Sequence, residues 1–526
     1  MIAVPSFDLL TAAPVLACLA GIVVVLLVDA AAGRAGENRA VGLRRLLDLV
    51  ALAALVGAGA ALVWLTRTTS HGLDPRATLC IPGGGLVLPS CAYVVSGLTL
   101  ALQGITVAAA LVCLLLALDG DGAAERTGHH VLFLTAVTGV LVLAAARDLV
   151  TMVVALETAS LPAVGLVALR RDERGARGAL TLLLTAIASL GVLLLGVAML
   201  LLATGTVWLD RLAVALAAPS GSHAVRALAV LGLLLVVSGV AFKMSLVPFH
   251  LWTPDTYAGA PLPVAAFLSV VSKAGAAAML LVLLGVGLPA LAGLWAPVVG
   301  VLAVVTMTVG NLVALRQSSA VRLLAWSTVA QAGWVVLPLT GLLNRHTAVA
   351  AGQLGIAEGD VRGVAHSAVA ASVGYLAAYT AAGLAVFAVV VVFARHHPNG
   401  EQHTLADYRG LARREPVAAA VLAFGLACLA GLPPGIVGVV AKVIALRPVV
   451  DAGGWVLALV AAANIALAVA YYLRWAALLM GDPDGEATTW RLRPAEGLAV
   501  GAGAVACLAL SIAPQAVASL VPGLLR

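Results

Sequence analysis

The chain has 526 residues, of which 62% are hydrophobic and 10% carry a charge, and its mean hydropathy is +1.10. Soluble domains carry about 25% charged residues, so this composition excludes a water-soluble fold and indicates that lipid is the solvent for most of the chain. The formal charge is +6, and most of the basic residues lie in the loops between apolar windows. That pattern is typical of membrane topology and does not indicate nucleic-acid binding.

Apolar windows of about 20 residues or more predict an all-α membrane protein with about 14 transmembrane helices. The first window follows a start without basic residues, so we interpret it as a membrane helix and not as a secretory signal. The windows lie near 10–31, 45–66, 92–118, 130–147, 149–169, 178–203, 227–257, 261–286, 291–315, 320–342, 366–394, 416–448, 453–480 and 497–520.

Arginines in the loops predict the orientation. Alternate loops beginning with 32–44 hold 18 arginines, whereas the opposite set holds 9. Because cytoplasmic loops carry the excess of basic residues, the first set is expected in the cytoplasm and both termini outside it.

Cysteine and histidine spacing predicts no metal site. Cys80 and Cys91 share one long loop, and the choice between a disulfide and free thiols depends on the compartment that this loop faces. The predicted orientation places the loop outside, where a disulfide is permitted. The histidines of one charged loop are interpreted as solvated, namely His396, His397 and His403.

An acidic residue lies deep in the fifth window. Glu157 is nine residues into the window that begins at Leu149, which is near mid-membrane at 1.5 Å per residue. Because such residues are costly to hold in hydrocarbon, they mark ion paths by default. The alternative is a structural carboxylate paired with a buried lysine.

The chain has three lysines, Lys243, Lys273 and Lys442, and all of them lie within apolar windows. Guanidinium stays protonated in proteins, whereas a buried ammonium can release its proton. The exclusive use of lysine at membrane depth therefore indicates proton carriers. The alternative is that the lysines only extend to the lipid headgroups.

Two windows are too long for one straight helix. Windows 227–257 and 416–448 would run about 46 and 50 Å, against a hydrocarbon core of about 30 Å. Pro248 in the first window, and Pro433 and Pro434 in the second, each lie near a lysine and are expected to break the helix. A proline kink that shapes packing alone is the alternative.

The two expected breaks are five helices apart, in helices 7 and 12. An odd offset means that the two units cross the membrane in opposite senses, which predicts two inverted repeats with discontinuous helices in corresponding positions. His250 lies beside the first break, where it is a candidate relay between Lys243 and Lys273 or a packing residue.

The segment from Phe242 to Asp255, which reads Phe-Lys-Met-Ser-Leu-Val-Pro-Phe-His-Leu-Trp-Thr-Pro-Asp, resembles a specific family signature. The family is that of the antiporter-like membrane subunits of bacterial NADH–quinone oxidoreductase (respiratory complex I) and of Mrp-type cation/proton antiporters. Lys442 is similar to the subunit N branch, because subunit M usually has glutamate there. Further similar motifs are Glu157–Pro162, Gly310–Gln317, Arg322–Ser327, Asp407–Leu411, Ala430–Pro434 and Tyr471–Arg474.

The resemblance implies a division into helices 1–3 (1–125), a first antiporter-like repeat of helices 4–8 (126–288), an inverted second repeat of helices 9–13 (289–480) and helix 14 (481–526). Each repeat would contribute five helices and one half-channel.

The resemblance also implies residue roles. Glu157 and Lys243 would form the first pumping pair, Lys273 the central relay and Lys442 the terminal carrier. Gln331 stands where the family has a histidine, so it is a candidate relay that cannot itself titrate.

The function implied by the resemblance is proton translocation in a bacterial cell membrane, coupled to NADH oxidation by quinone. The chain shows no dinucleotide, haem or iron–sulfur motif, so no cofactor is expected in it. FMN, iron–sulfur clusters, NADH and quinone are expected in partner subunits, next to sibling antiporter-like subunits. Two alternatives are an Mrp-type antiporter subunit, which a further acidic cation site would favour, and a non-conducting scaffold, which tolerance of lysine replacement would favour.

Overall fold

The computed structural model describes residues 7–32, 40–69, 76–81, 89–118, 123–217, 223–342, 358–398, 400–482 and 490–515. Thirteen helices in these ranges are long and apolar enough to cross a membrane, namely α1–α6, α8, α10–α13, α17 and α18. In chain order the helices are α1 Ala13–Ala32, α2 Ala40–Thr69, α3 Gly97–Ala117, α4 Ala123–Ala145, α5 Leu149–Ala168, α6 Glu173–Thr204, α7 Leu209–Ala217, α8 His223–Met244, α9 Trp252–Gly259, α10 Leu262–Val282, α11 Ala292–Ala314, α12 Ala320–Val336, α13 Glu358–His396, α14 Leu411–Arg414, α15 Pro416–Ala430, α16 Ile436–Asp451, α17 Trp455–Leu479 and α18 Pro494–Ile512. The chain is therefore a multi-pass helical membrane protein.

The prediction of about 14 spanning helices differs from these thirteen at window 416–448. That window forms two shorter helices, α15 with 15 residues and α16 with 16. Neither helix reaches the roughly 20 residues that a straight crossing needs.

Several helices begin at side-chain caps that the local sequence encodes. Asp148 and Asp172 each accept a hydrogen bond from the backbone N–H three residues later, at 2.8 and 2.7 Å, and so start α5 and α6. Ser319 starts α12 in the same way. These caps satisfy N–H groups that have no partner within the helix.

A short antiparallel hairpin joins α2 to α3. Its strands are β1 (Arg76–Ile81) and β2 (Ser90–Val95), and Cys80 lies opposite Cys91, to which it is joined by a disulfide. Tyr93 also pairs with Ala146 at the end of α4. The all-α prediction omitted this hairpin, because its two six-residue segments are too short to register in a window of membrane-helix length.

Helices α10 and α13 form the interior of the molecule. Both are almost completely buried, whereas most of the surface of α1, α6 and α17 faces outward. Helix α10 packs against α3, α4, α5, α8, α12 and α13. Because Lys273 lies on α10, its side chain is held at the centre of the bundle, with 2% of its surface exposed.

The first long window is interrupted between Met244 and Trp252. Ser245 takes a left-handed backbone conformation, with φ of +59°, and so ends α8. The N–H of Val247, in the unwound stretch, donates to Thr306 Oγ1 of α11 at 2.9 Å. A neighbouring helix therefore satisfies backbone that could not face lipid unpaired.

The second interruption, between Ala430 and Ile436, has the same character. Gly431 ends α15 with φ of +75°. The N–H of Val437, near the start of α16, donates to Ser511 Oγ of α18 at 3.2 Å.

Candidate functional site

The ammonium group of Lys273 lies at the C-terminal end of α8. Its Nζ donates to the carbonyl of Lys243 at 3.4 Å and to Ser245 Oγ. Ser245 Oγ is in turn 2.5 Å from Thr253 Oγ1. Carbonyls at a helix C-terminus carry a negative partial charge, so the broken end of α8 stabilises the cation.

An aromatic face adds to this site. Lys273 Nζ is 5.1 Å from the centre of the Trp252 ring, within the range of a cation–π interaction. The Trp252 indole N–H donates to the Phe242 carbonyl at 3.0 Å, which fixes the ring beside the break.

Glu157 and Lys243 lie within electrostatic range of each other without a direct ion pair. Glu157 is half-buried on α5, and Lys243 is buried in the last turn of α8. Among the described residues, Glu157 Oε1 is buried without a hydrogen-bond partner, and no ion pair within 4.0 Å joins its carboxylate to Lys243. The two groups therefore interact electrostatically through space.

Lys442 is held at the second break. Its Nζ donates to the carbonyl of Leu429 at 3.0 Å and to that of Ala430. In a continuous helix these carbonyls would accept from residues 433 and 434, but Pro433 and Pro434 have no N–H. The proline pair thereby leaves two carbonyls open for the ammonium group.

Gly431 leaves the space that Lys442 occupies. A Cβ atom at Gly431 would lie 2.9 Å from Nζ and from Cδ of Lys442. Glycine is therefore required here by its left-handed backbone and by the neighbouring lysine.

The two breaks hold their cations by the same physical means. In each, an ammonium group caps the C-terminal carbonyls of a half-helix. The lysine comes from α10, the second helix after the first break, and from α16, the second half of the same window, at the second break. Within the described residues, neither Lys273 nor Lys442 forms an ion pair with a carboxylate.

A cluster of hydroxyl groups lies one turn before Lys273 on α10. Ser269 Oγ, one turn before Lys273, is 3.0 Å from Thr328 Oγ1 of α12 and 2.6 Å from the Tyr379 hydroxyl of α13. Tyr379 also bonds to Thr328 at 3.1 Å. The cluster therefore connects the lysine helix with α12 and α13.

A second cluster lies beside Lys442. Gln331 Nε2 donates to the Leu429 carbonyl at 3.3 Å and to the Tyr472 hydroxyl at 3.2 Å, and its Oε1 accepts from Tyr375. Tyr472 is 2.5 Å from Ser327 Oγ. Gln331 is thus brought together with the Lys442 site through a shared carbonyl.

Tyr375 and Tyr379 were missed by reasoning from the sequence. Membrane proteins usually place tyrosine at the lipid–water interface, yet all seven tyrosines of this chain are buried. A tyrosine deep within an apolar window is the signal that could have identified Tyr375 and Tyr379.

Two of the histidines considered in the sequence analysis, His250 and His403, are buried. His250 is buried and packs on the Trp326 ring at 5.2 Å, and among the described residues no hydrogen bond joins it to Lys243 or Lys273. His403 corrects the expectation of a solvated loop, because its side chain is fully buried and its Nε2 is 2.9 Å from the Tyr408 hydroxyl. Burial lowers the pKa of His403, so this loop histidine is held neutral.

A cavity of about 540 Å³ opens at the end of the bundle that bears the arginine-rich loops. Its wall includes Asp255 and Arg322, which form an ion pair at 3.3 Å, and Glu401. Asp255, Ala258 and Gly259 all belong to α9, the helix that follows the first break, so the cavity lies at the C-terminal end of that helix.

Comparison with known proteins agrees with this architecture. Residues 146–468 match the family described as NADH:quinone oxidoreductase/Mrp antiporter, TM. The chain is 41% identical to NADH-quinone oxidoreductase subunit N 2 of Streptomyces griseus over 85% of its length and 79% of the relative's. It is 42% identical to NADH-quinone oxidoreductase subunit N of Salinispora tropica over 87% of its length and 82% of the relative's.

Solved structures show the same fold. A chain of respiratory complex I from Thermus thermophilus with bound aureothin aligns with a TM-score of 0.72 and 28% identity, covering 97% of this chain and 100% of that one. A chain of the Mrp complex from Dietzia sp. aligns with a TM-score of 0.80 and 21% identity, covering 98% and 96%. With buried lysines at two helix breaks and relatives matched over most of its length, the chain belongs to the NADH:quinone oxidoreductase/Mrp antiporter family of membrane subunits.

Proposed function

We propose that this chain is the subunit N type of antiporter-like membrane subunit in an NADH–quinone oxidoreductase, and that it translocates protons. The observation that carries the proposal is the row of three buried lysines, two of them held at broken helix ends, in a family member that is 41–42% identical to named N subunits. Helix-end carbonyls stabilise an ammonium group without a counter-anion. Release of the proton therefore leaves no unpaired carboxylate behind.

The proton path begins at Glu157 and Lys243, continues through Lys273 as the central relay and ends at Lys442. The hydroxyl clusters around Tyr379 and Tyr375 support a connection between the second and third lysines. Gln331 connects the second cluster to Lys442, and His250, which packs on Trp326, acts as a packing residue beside the first break.

The topology that we propose has 14 crossings, of which α15 and α16 together form the twelfth. Residues 126–288 and 289–480 then form inverted repeats, flanked by 1–125 and 481–526. The five-helix offset between the two breaks supports opposite orientation. Both termini lie outside the cytoplasm in this arrangement, which the arginine distribution supports.

Redox chemistry belongs to partner subunits in this proposal. FMN, iron–sulfur clusters, NADH and quinone would act there, and sibling antiporter-like subunits would adjoin this chain in the membrane. Groups of three or more metal-binding side chains are not found among the described residues. Energy would reach the lysine row as a conformational or electrostatic bias.

An Mrp-type cation/proton antiporter subunit is the second candidate. The Dietzia alignment supports it by fold alone, because that identity is 21%. Sodium-dependent proton exchange without NADH oxidation would favour it. A non-conducting scaffold is the third candidate.

The deciding experiment compares Lys243→Ala with Ser238→Ala in inverted membrane vesicles that contain the assembled complex. Ser238 lies on the same helix, and its hydroxyl donates to the Leu234 carbonyl one turn earlier. We expect Lys243→Ala to lower NADH–quinone turnover and proton uptake together by roughly tenfold or more, as for loss of a proton-transfer group. Ser238→Ala should leave both rates unchanged, and full activity of Lys243→Ala would establish the scaffold function instead.

A further inference from the structure

The carbonyl oxygen of Leu429 accepts hydrogen bonds from two different side chains. Lys442 Nζ lies at 3.0 Å and Gln331 Nε2 at 3.3 Å. This oxygen has two lone pairs, and the N–H that it would meet in a continuous helix is missing at Pro433. Both donors are almost fully buried, with Lys442 at 4% and Gln331 at 3% exposed surface.

The amide of Gln331 is oriented by its other contacts. Its oxygen accepts from the Tyr375 hydroxyl, so the amide nitrogen must face the Leu429 carbonyl and the Tyr472 hydroxyl. The nitrogen therefore has two acceptors available on one side, of which one is shared with a cation. An amide cannot gain or lose a proton at accessible pH, so Gln331 cannot carry the proton itself.

We propose that Gln331 is a positioning residue that shares the Leu429 carbonyl with Lys442 and takes it over when Lys442 loses its proton. This inference rests on the proposed function, in which Lys442 is the terminal carrier. In the protonated state the ammonium group is the stronger donor, and the long Gln331 contact is secondary. After the proton leaves Lys442 for an acceptor on the release side, the remaining amine is a weak donor, and Gln331 supplies the carbonyl with its main hydrogen bond.

The physical consequence is an easier proton release. A buried carbonyl left without a donor would disfavour the deprotonated state of the site. Gln331 removes that obstacle, because its N–H groups are already within reach. The Tyr375 hydroxyl of α13 donates to the Gln331 oxygen. A change in the hydrogen bonds of Gln331 when Lys442 loses its proton therefore also changes this contact with α13.

The test is the pH profile of NADH-driven proton uptake in inverted vesicles that contain the assembled complex. Gln331→Met removes the competing donor at similar volume. The ammonium group then holds the carbonyl alone, and we expect the alkaline limb of the profile to move to higher pH by roughly half a unit to one unit, the size that one net hydrogen bond supports. Gln331→Asn keeps an amide but shortens its reach by one methylene, so the same upward shift is expected. This variant replaces Gln331→Met in the test if the methionine variant does not assemble.

Gln103→Met is the matched control. Gln103 is also a fully buried glutamine whose Nε2 donates to a tyrosine hydroxyl, Tyr93 at 3.1 Å, and to a carbonyl, Leu141 at 2.7 Å, but it lies on α3, and among the described residues no hydrogen bond joins it to a lysine. Its replacement should lower stability without moving the profile. A profile that moves equally in both glutamine variants would overturn the inference, because a shift common to both reflects general loosening.

Lys442→Ala separates this inference from the function on which it rests. If Lys442→Ala abolishes proton uptake but the Gln331→Met profile coincides with that of the unaltered protein, the positioning role is wrong and the carrier role stands. If Lys442→Ala retains full proton uptake, the carrier role fails and the positioning role fails with it.

Discussion

At Gly431 a single residue meets two separate demands. Its backbone has φ of +75°, a region that residues with a Cβ atom rarely adopt, and the space where a Cβ would lie is filled by Lys442. The first demand concerns the end of α15, and the second concerns the position of the ammonium group. Gly453, which has the same backbone conformation but no lysine beside it, allows the effects of the two demands to be measured separately.

We predict that Gly431→Ala lowers coupled turnover by roughly tenfold in an assembled complex, because the new methyl group displaces Lys442 from the Leu429 and Ala430 carbonyls. Gly453→Ala is the control, since Gly453 also has φ of +75° but, apart from its two chain neighbours, has no atom within 4 Å of its Cβ position. That variant should lose about 1 kcal/mol of stability from backbone strain and keep its turnover. Equal turnover in the two variants would show that the lysine position is not critical.

At the scale of elements, the N-terminus of α10 is capped from a distant part of the chain. Pro261, at the capping position, supplies no side-chain acceptor, and Glu401 Oε1 accepts from the Leu262 N–H at 3.1 Å instead. The other oxygen of Glu401 forms an ion pair with Arg170, which follows α5. One carboxylate therefore connects the helix of Glu157 to the helix of Lys273.

We predict that Glu401→Ala speeds hydrogen–deuterium exchange of the Leu262 and Val264 amides by roughly five- to tenfold, as loss of a helix cap of about 1 kcal/mol implies. Glu173→Ala is the comparison, because Glu173 forms an exposed ion pair with Arg177 on its own helix. An exposed pair of this kind contributes about 0.3–0.5 kcal/mol, so exchange near α10 should not change. Unaltered exchange in Glu401→Ala would mean that packing alone holds this end of the helix.

At the scale of the whole molecule, α13 joins the two lysine-bearing halves. Tyr379 contacts the Ser269–Thr328 cluster near Lys273, and Tyr375, one turn earlier, contacts Gln331 near Lys442. The helix is almost completely buried, so both hydroxyls are removed from lipid and bulk water. Two hydrogen-bonded clusters therefore lie along one face of a central helix, and the proton route that we propose between the halves passes both of them.

We predict that Tyr379→Phe lowers NADH-driven proton uptake by roughly tenfold, because the hydroxyl that connects α10, α12 and α13 is removed. Tyr408→Phe provides the control, since it removes another buried hydroxyl, bonded to His403, outside the lysine row. Both variants should lose about 1 kcal/mol of stability, so assembly and melting temperature are measured in parallel. A normal proton uptake rate in Tyr379→Phe would exclude its hydroxyl from the route.

Much of this organisation could be predicted from local chemistry. Apolar windows identify the spanning helices because hydrocarbon accepts only backbone that bonds within its own segment. The interruptions near Pro248 and Pro433 follow from the missing proline N–H, and the buried lysines stand out because every other basic residue that carries a fixed charge is arginine. The Phe242–Asp255 signature indicated the family because so many of its residues match.

Other features depend on which helices meet, and sequence spacing carries no such information. Lys273 donates to a carbonyl 30 residues earlier, and Glu401 caps a helix that begins 139 residues before it. Periodicity defines a helix face but not the partner of that face, so the tyrosine contacts of α13 and the shared Leu429 carbonyl were not predictable. The sequence determined that this is a helical membrane protein with lysines at broken helices, because those properties are local. Tertiary packing alone decided which carbonyls and hydroxyls surround each ammonium group.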